Sequence, residues 1–70
     1  MANDEIEKRF TYHPPQPGQP EKYEALRVKA KELAYLIDEL CPTSREQSLA
    51  YGYLEIAVMW ANAAIARRSS

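Results

Sequence analysis

Residues 49–66 read LAYGYLEIAVMWANAAIA, and only Glu55 and Asn62 interrupt their apolar surface. This pattern predicts a helix from about residue 45 to about residue 67. A helix that is apolar on nearly all sides must be buried on nearly all sides. Three apolar rows run along it: Leu49, Tyr53, Ile56, Trp60 and Ala63; Ala50, Leu54, Ala57, Ala61 and Ala64; and Tyr51, Leu54, Val58 and Ile65.

A second long helix is predicted before this one, over residues 20–40. Pro20 suits its first position, and Pro42 ends it, because the residue before a proline is pushed out of the α region. Thr43 and Ser44 each precede a Glu or Gln by three residues, so either pair can form a capping box for the next helix. The apolar residues of this helix recur at spacings of three and four: Tyr23, Leu26, Ala30, Leu33, Ile37 and Leu40.

The short turn between the two helices predicts an antiparallel hairpin and an all-α fold. One partner helix covers only one side of residues 49–66, so the other apolar faces, including Met59 and Trp60, must pack against other copies of the chain. We therefore predict a homo-oligomer with two kinds of interface. The small size of the chain also favours assembly, since a domain of 70 residues has only a marginal core of its own.

An acidic segment precedes the hairpin. Residues 3–9 are predicted to form a short helix, with Asn3 as its N-cap and acidic residues in its first turn. We expect residues 1–19 to comprise this helix and a proline-rich arm, residues 20–70 to form the hairpin, and the chain to be a single domain.

Four of the five prolines lie between residues 14 and 20, so the arm that links the short helix to the hairpin must run extended. A segment with so little conformational freedom presents Phe10, Tyr12 and His13 at small entropic cost. Such an arm suits the binding of a flat ligand or of a neighbouring subunit. It can equally be a plain strap over the helix pair.

Composition excludes several classes of function. Nine basic and ten acidic residues give a net charge of −1, so the chain is no general binder of DNA or RNA. Cys41 is the only cysteine, which excludes an intramolecular disulfide and a cysteine-based metal site. Without a phosphate loop or a carboxylate cluster of metal-ligand spacing, we predict no catalytic residue, metal or cofactor. We also expect no signal peptide, no membrane-spanning stretch and a cytoplasmic location.

Basic residues of the first long helix are candidates for anion binding. Arg27 and Lys31 lie four apart on one face, and Glu24 can pair with Arg27. They form either an ordinary solvated face or a cation pair that holds phosphates. In the second case, Tyr12 and His13 of the arm can stack on a base.

The second long helix carries polar candidates near its end. Arg67 and Arg68 favour the negative end of the helix dipole, and they can add charge to another site where several chain ends converge. Asn62 interrupts an apolar surface, and we expect it to fix register or to pair across an interface rather than to contact a ligand.

Several stretches resemble a known family: residues 9–24 (RFTYHPPQPGQPEKYE), 29–34 (KAKELA), 41–46 (CPTSRE) and 57–63 (AVMWANA). They are similar to the small phage anti-CBASS cyclic-nucleotide sponges, the second class of anti-CBASS protein. The helical-hairpin unit of these proteins is shared with one group of phage anti-Thoeris sponges. The resemblance covers nearly the whole chain, and FTYHPP and AVMWANA are its specific parts.

The resemblance implies a compact hexamer of helical hairpins that binds signalling cyclic nucleotides and sequesters them without cleaving them. Bacterial cyclases make these messengers on infection, and their capture in the host bacterial cytoplasm prevents activation of the CBASS effector. Family members hold cyclic dinucleotides, such as 3′,3′-cyclic GMP-AMP, between paired protomers. They can hold cyclic trinucleotides at a separate site where three protomers meet.

The family's dinucleotide site uses an arm tyrosine and a cation of the first long helix. By position, the resemblance implies Tyr12 for the tyrosine and Arg27 or Lys31 for the cation, with Lys29 less favoured. For the trinucleotide site, it implies that the terminal cation is one of the two arginines at positions 67 and 68.

Residues 51–56 (YGYLEI) depart from the family's pattern, which has a threonine and a lysine in this stretch. Gly52 inside a helix costs about 1 kcal/mol relative to Ala, so we expect close packing to require it. The departure bears on the second interface and its ligand preference. Two other functions stay open: a sponge for the cyclic ADP-ribose isomers of Thoeris signalling, and a protein-interaction scaffold with the arm as a proline-rich ligand.

Overall fold

The computed structural model describes residues 2–68, and within that range the chain forms three α-helices and no strand. The helices are α1 (Ala2–Phe10), α2 (Gln19–Leu40) and α3 (Arg45–Arg68). This confirms the predicted all-α fold, and each helix lies within a residue of its predicted bounds. The predicted N-cap of the short helix, Asn3, lies inside α1.

The arm, residues 11–18, ends at a glycine that starts α2. Gly18 is the N-cap of α2 and has a φ of 86°, a left-handed conformation that glycine adopts without steric cost. Pro20 falls in the first turn, where its missing N–H has no intrahelical acceptor to lose. At the other end, Cys41 is extended before Pro42, as the sequence predicts, and its N–H donates to the carbonyl of Ile37 at 2.9 Å.

The turn between α2 and α3 resolves the choice between the two possible capping pairs. The hydroxyl of Ser44 accepts a hydrogen bond from the backbone N–H of Gln47 at 3.1 Å. The side-chain amide of Gln47 does not return to Ser44. It donates to the carbonyl of Cys41 at 3.1 Å and so ties the start of α3 to the end of α2. The capping box is therefore half formed.

The two long helices pack as an antiparallel hairpin. On α2, Leu33 and Leu40 belong to the predicted apolar row but stay 45% and 70% exposed, because the contact with α3 is narrower than that row. Ala34 is half-buried beside them. The half-buried apolar residues along the contact are Tyr23, Leu26, Ala30, Ala34 and Ile37 on α2, with Leu54, Val58, Ala61 and Ile65 on α3.

No apolar side chain within the described residues is fully buried, since two helices side by side cover only one flank of each other. The protein measures 46 × 26 × 14 Å. Its surface of 5798 Å² exceeds the roughly 4,450 Å² expected of a compact monomer of its mass. On the outer face of α3, Tyr53, Met59 and Trp60 are each about two-thirds exposed.

The length and composition of α3 correct one expectation from the sequence. We expected no stretch long and apolar enough to cross a membrane, but α3 meets that test, with a mean hydropathy of 1.3 over its best window. Its leucine, isoleucine, valine and alanine residues supply this apolar character, and Glu55 is its only charged residue between residues 49 and 66. A helix packed by protein on several sides has the same composition, so length and composition alone do not indicate a membrane.

Candidate functional site

The C-terminal end of α1 is held by side chains from the arm and from α3. The last carbonyls of a helix have no intrahelical partner. His13 Nε2 lies 2.7 Å from the carbonyl oxygen of Lys8, and because a carbonyl only accepts, this nitrogen must carry the proton. Arg67 Nη2 donates to the carbonyl of Arg9 at 3.4 Å. The backbone carbonyl of Lys8 thus orients the imidazole of His13.

A carboxylate on α1 bridges two cations. Glu5 Oε1 lies 2.7 Å from Arg68 Nη2 and 3.2 Å from Arg9 Nε. The hydrogen bond from Arg68, followed by its charge and by Arg9, lowers the pKa of Glu5 from 4.5 to about 2. The same contact raises the pKa of Arg68. The Glu5–Arg68 pair attaches α1 to the last turn of α3.

The candidate cations of α2 lie beside a groove along the hairpin. Arg27 pairs with Glu24, as their spacing predicts. Lys31 lies one turn further along α2. Both line the hairpin groove, an opening of about 480 Å³ whose other lining residues are Ala30, Ala34, Tyr51, Leu54, Glu55, Val58 and Met59.

A larger opening lies where α1, the arm and both long helices meet. We call it the arm cleft, and its volume is about 730 Å³. It is lined by Arg9, Thr11, His13, Tyr23, Arg27, Met59, Asn62, Ala63, Ala66 and Arg67. Three separate helices thus contribute one arginine each to the same opening.

The three arginines differ in how their charge is compensated. Arg9 pairs with Glu5, and Arg27 pairs with Glu24. Arg67 forms no ion pair within the described residues, and its guanidinium donates instead to a neutral carbonyl. The arm cleft therefore presents one uncompensated cation between two that are partly neutralised, an arrangement suited to an anion.

Asn62 contributes a polar atom without a partner to the wall of this cleft. Its Oδ1 is buried and accepts no hydrogen bond within the described part of the chain. A buried acceptor left unpaired costs about 1–3 kcal/mol. The predicted roles for Asn62, pairing across an interface or fixing register, stay predictions.

A third opening, smaller than the arm cleft and adjoining it, lies at the end of α3. This end pocket has a volume of about 440 Å³ and combines arginines with two exposed aromatic rings. Phe10 is 82% exposed and Trp60 is 66% exposed. Its lining residues are Arg9, Phe10, Trp60, Ala63, Ala64, Arg67 and Arg68.

The structure groups the predicted site residues in three places. His13, Arg27 and Arg67 line the arm cleft, and Arg67 also lines the end pocket together with Arg68. Lys31 lies with Arg27 in the hairpin groove. The sixth candidate, the arm tyrosine at position 12, lines none of these three openings and is 78% exposed.

Two residues of this region were missed by sequence reasoning. Arg9 lines both the arm cleft and the end pocket, and its i, i+4 spacing from Glu5 was the available signal. Gln19 is only 3% exposed and joins the arm to α3. No local pattern marks a glutamine for burial, because its partner in α3 lies 46 residues away.

The described residues contain no group of three or more His, Cys, Asp or Glu placed to hold a metal ion. The polar side chains that line the arm cleft carry three guanidinium groups, an imidazole, an amide and the hydroxyls of Thr11 and Tyr23. These groups can bind and orient an anion through charge-assisted hydrogen bonds.

An arginine-lined cleft on an all-α hairpin defines a small helical protein equipped to bind an anionic ligand. Residues 2–66 match the model of the family described as Acb2/Tad1, hairpin domain, and the chain therefore belongs to this family. It is a family of phage anti-defence sponges, which sequester cyclic nucleotide signals. The resemblance read from the arm and from α3 is thereby confirmed. No curated protein and no solved structure matches the chain.

Proposed function

We propose that this protein is a non-enzymatic sponge that binds cyclic dinucleotides, such as 3′,3′-cyclic GMP-AMP, and also cyclic trinucleotides. Messengers bound to it are unavailable to the CBASS effector, which stays inactive. The observation that carries the proposal is the arm cleft, around which α1, α2 and α3 each place an arginine. Family membership supports it independently.

The chemistry of the arm cleft suits this class of ligand. A cyclic dinucleotide carries two phosphodiesters, and arginine binds phosphate oxygens through paired hydrogen bonds. The cleft volume of about 730 Å³ falls in the range of roughly 300–1,000 Å³ that small-molecule sites occupy.

We assign the dinucleotide contacts to the arm and to α2. Tyr12 stacks on a base, His13 supports it, and Arg27 and Lys31 hold phosphates. Because Tyr12 lies outside the arm cleft of its own chain, it reaches the ligand of a neighbouring protomer in this proposal. We assign cyclic trinucleotides to the end pockets of several chains.

The proposal includes a homo-oligomer, with six subunits as in the family. The exposed apolar rings of α3 and a surface about 1,300 Å² larger than that of a compact monomer support assembly. Assembly also supplies the second copy that the dinucleotide site requires. Two facing copies related by a two-fold axis offer two tyrosines and two sets of cations to a ligand that is itself nearly two-fold.

Sequestration in the host bacterial cytoplasm needs only affinity and abundance. A ligand enclosed between protomers leaves slowly, and differences in affinity reside mostly in the off-rate. No group in the arm cleft is proposed to cleave the ligand. The captured messenger should therefore remain chemically intact.

The test is a calorimetric titration of the protein with 3′,3′-cyclic GMP-AMP, followed by heat denaturation and chromatography of the released ligand. We expect saturable binding and full recovery of unaltered cyclic dinucleotide. Hydrolysed product would indicate a phosphodiesterase instead. Neither heat nor a thermal shift at high ligand excess would favour the protein-interaction scaffold.

Two charge reversals on α2 test the site itself. Arg27→Glu should lower the affinity for the dinucleotide by about tenfold or more, because it replaces an attractive charge by a repulsive one. Lys29→Glu is the matched control, since Lys29 lies on the same helix but lines none of the three openings. Loss of binding in the Lys29 variant alone would contradict the assignment of Arg27.

A second ligand class competes with the first. The family description joins the two groups of sponges under one hairpin domain, so cyclic ADP-ribose isomers are also candidates for capture. Titration of each ligand alone, and of one in the presence of the other, separates the two. Binding of only the cyclic ADP-ribose isomer would replace the CBASS assignment by Thoeris signalling.

A further inference from the structure

The two buried residues within the described part of the chain are both glutamines. Gln19 is 3% exposed and Gln47 is 7% exposed, whereas every apolar side chain described is less buried. They lie at opposite ends of the hairpin, Gln19 where the arm enters α2 and Gln47 beside the turn between the long helices. Buried amides are retained where their hydrogen bonds are satisfied.

Gln19 bridges the arm and the end of α3 with a single side chain. Its Oε1 accepts the backbone N–H of Gln16 at 2.9 Å, and its Nε2 donates to the carbonyl of Ile65 at 3.0 Å. A backbone N–H can only donate and a carbonyl can only accept, so the orientation of the amide is determined by its partners. The backbone N–H of Gln19 also donates to the carbonyl of Gln16 at 3.0 Å.

The partner in α3 is a carbonyl in its last turn. This carbonyl belongs to Ile65, three residues before α3 ends at Arg68. Arg67, the cation of the arm cleft without a carboxylate partner, lies two residues further on. The amide of Gln19 therefore connects the arm that carries His13 to the turn that carries Arg67.

We propose that Gln19 is a positioning residue that sets the arm against the last turn of α3 and so fixes the geometry of the arm cleft. It lines none of the three openings and acts through the segments that it joins. Its effect on ligand affinity rests on the function proposed above. Its effect on the arm does not, because the hydrogen bonds are present in the chain without ligand.

Glutamine suits this role because it carries a donor and an acceptor on one planar amide. A glutamate at position 19 keeps the acceptor for the Gln16 N–H. It loses the bond to α3, because its second oxygen and the carbonyl of Ile65 are both acceptors. A leucine of similar size loses both bonds. The two substitutions therefore separate the bond to the arm from the bond to α3.

Gln47 provides a matched control within the same molecule. It is also a buried glutamine in the first turn of a long helix, and its amide also donates to a carbonyl across the hairpin, that of Cys41 at 3.1 Å. Its contacts lie at the far end of the hairpin from the arm. Replacement by leucine removes an equivalent hydrogen bond without touching the arm cleft.

The experiment compares Gln19→Leu and Gln47→Leu by amide hydrogen exchange and by titration with 3′,3′-cyclic GMP-AMP. We expect both variants to lower the melting temperature. Only Gln19→Leu should speed exchange of the Gln16 amide, roughly tenfold, because that N–H loses its acceptor. Only this variant should lower the affinity for the ligand by about tenfold, since a loosened arm must be ordered again on binding.

Equal exchange of the Gln16 amide in the two leucine variants would overturn the inference. Should Gln19→Leu fail to fold, Gln19→Glu replaces it and predicts a protected Gln16 amide together with weakened ligand binding; unchanged ligand binding in that variant would overturn the inference equally. If the wild type binds no cyclic nucleotide while Gln16 exchange still separates the two leucine variants, the proposed function fails and the positioning role stands.

Discussion

Arg67 differs from the other arginines of the arm cleft because its guanidinium donates to a neutral carbonyl, that of Arg9. Arg9 and Arg27 are each compensated by a carboxylate on their own helix. A cation whose charge is uncompensated attracts an anion more strongly than one in an ion pair. At the scale of single residues, the uncompensated positive charge of the arm cleft therefore lies on α3.

The arm tyrosine tests whether the arm is a ligand contact or only a strap. Tyr12→Ala should weaken dinucleotide binding roughly 5- to 150-fold, because stacking on an aromatic ring contributes about 1–3 kcal/mol per base. The oligomer should stay intact, since the proposal assigns Tyr12 to the ligand and assembly to the apolar outer face of α3. Calorimetry measures the affinity and sedimentation checks the assembly.

Tyr12→Phe is the control for this variant because it keeps the ring and removes only the hydroxyl. It should retain most of the affinity. An alanine variant that binds as tightly as the wild type would leave the arm as a strap.

The carboxylate of Glu5 predicts how acid affects α1. Its pKa is about 2 in the folded chain and 4.5 ordinarily, so the folded state binds this proton less readily than the unfolded state. Its contribution to stability is thus complete above pH 4.5 and is lost as the pH falls from 4.5 towards 2. Glu5→Gln should lose less stability across this window than the wild type.

Melting temperatures of both proteins between pH 2 and pH 7 measure this difference, since the other carboxylates contribute equally to the two profiles. Parallel profiles would mean that the Glu5–Arg68 pair does not hold α1 to α3. High salt should reduce the difference, because the pair is exposed to solvent.

At the scale of elements, α3 carries more apolar surface than α2 can cover. The row that contains Leu54 and Val58 is half-buried against α2, while the row that contains Tyr53, Ile56 and Trp60 faces outwards. All rows of α3 were equivalent in the sequence. Their separation into an inner and an outer face follows from the direction in which α2 returns along α3.

Trp60 is the largest side chain on this outer face, and it is 66% exposed. Trp60→Ala should destabilise the proposed oligomer by about 3–5 kcal/mol per fully buried ring, because truncating a buried Trp leaves a cavity. The concentration dependence of sedimentation measures the change. Val58→Ala, within the hairpin contact, should instead lower the stability of each subunit.

A Trp60 variant that assembles like the wild type would show that the ring stays exposed in the oligomer.

The surroundings of Gly52, on the same helix, correct the expectation that close packing requires a glycine at this position. A Cβ built at this position meets no atom within 4 Å, so packing inside the chain does not require a glycine there. Any group that approaches Gly52 closely must therefore belong to another copy of the chain.

At the scale of the whole molecule, shape argues for assembly. The radius of gyration is 15.4 Å, against roughly 11 Å for a compact domain of this length. Sedimentation of the wild type should therefore show an oligomer at micromolar concentration, with six subunits as the proposal states. A folded, well-behaved single subunit under those conditions would contradict both the oligomer and the ligand site shared between copies.

Helix placement could be predicted from the sequence because its causes are local. Spacings of three and four, Pro20 and Pro42, and the serine three residues before Gln47 act within a turn or two of the chain. The excess apolar surface of α3 also followed, since one neighbour covers only one side of a helix. The FTYHPP and AVMWANA runs were enough to indicate the family, because each is a contiguous stretch of the sequence.

The contacts that build the candidate site depend instead on residues far apart in the chain. Arg67 meets Arg9 across 58 residues, and Arg68 meets Glu5 across 63. No periodicity encodes such pairs, because they arise only when α3 returns beside α1 and the arm. The burial of Gln19, the role of Arg9 and the choice of which face α3 shows to solvent are consequences of that return.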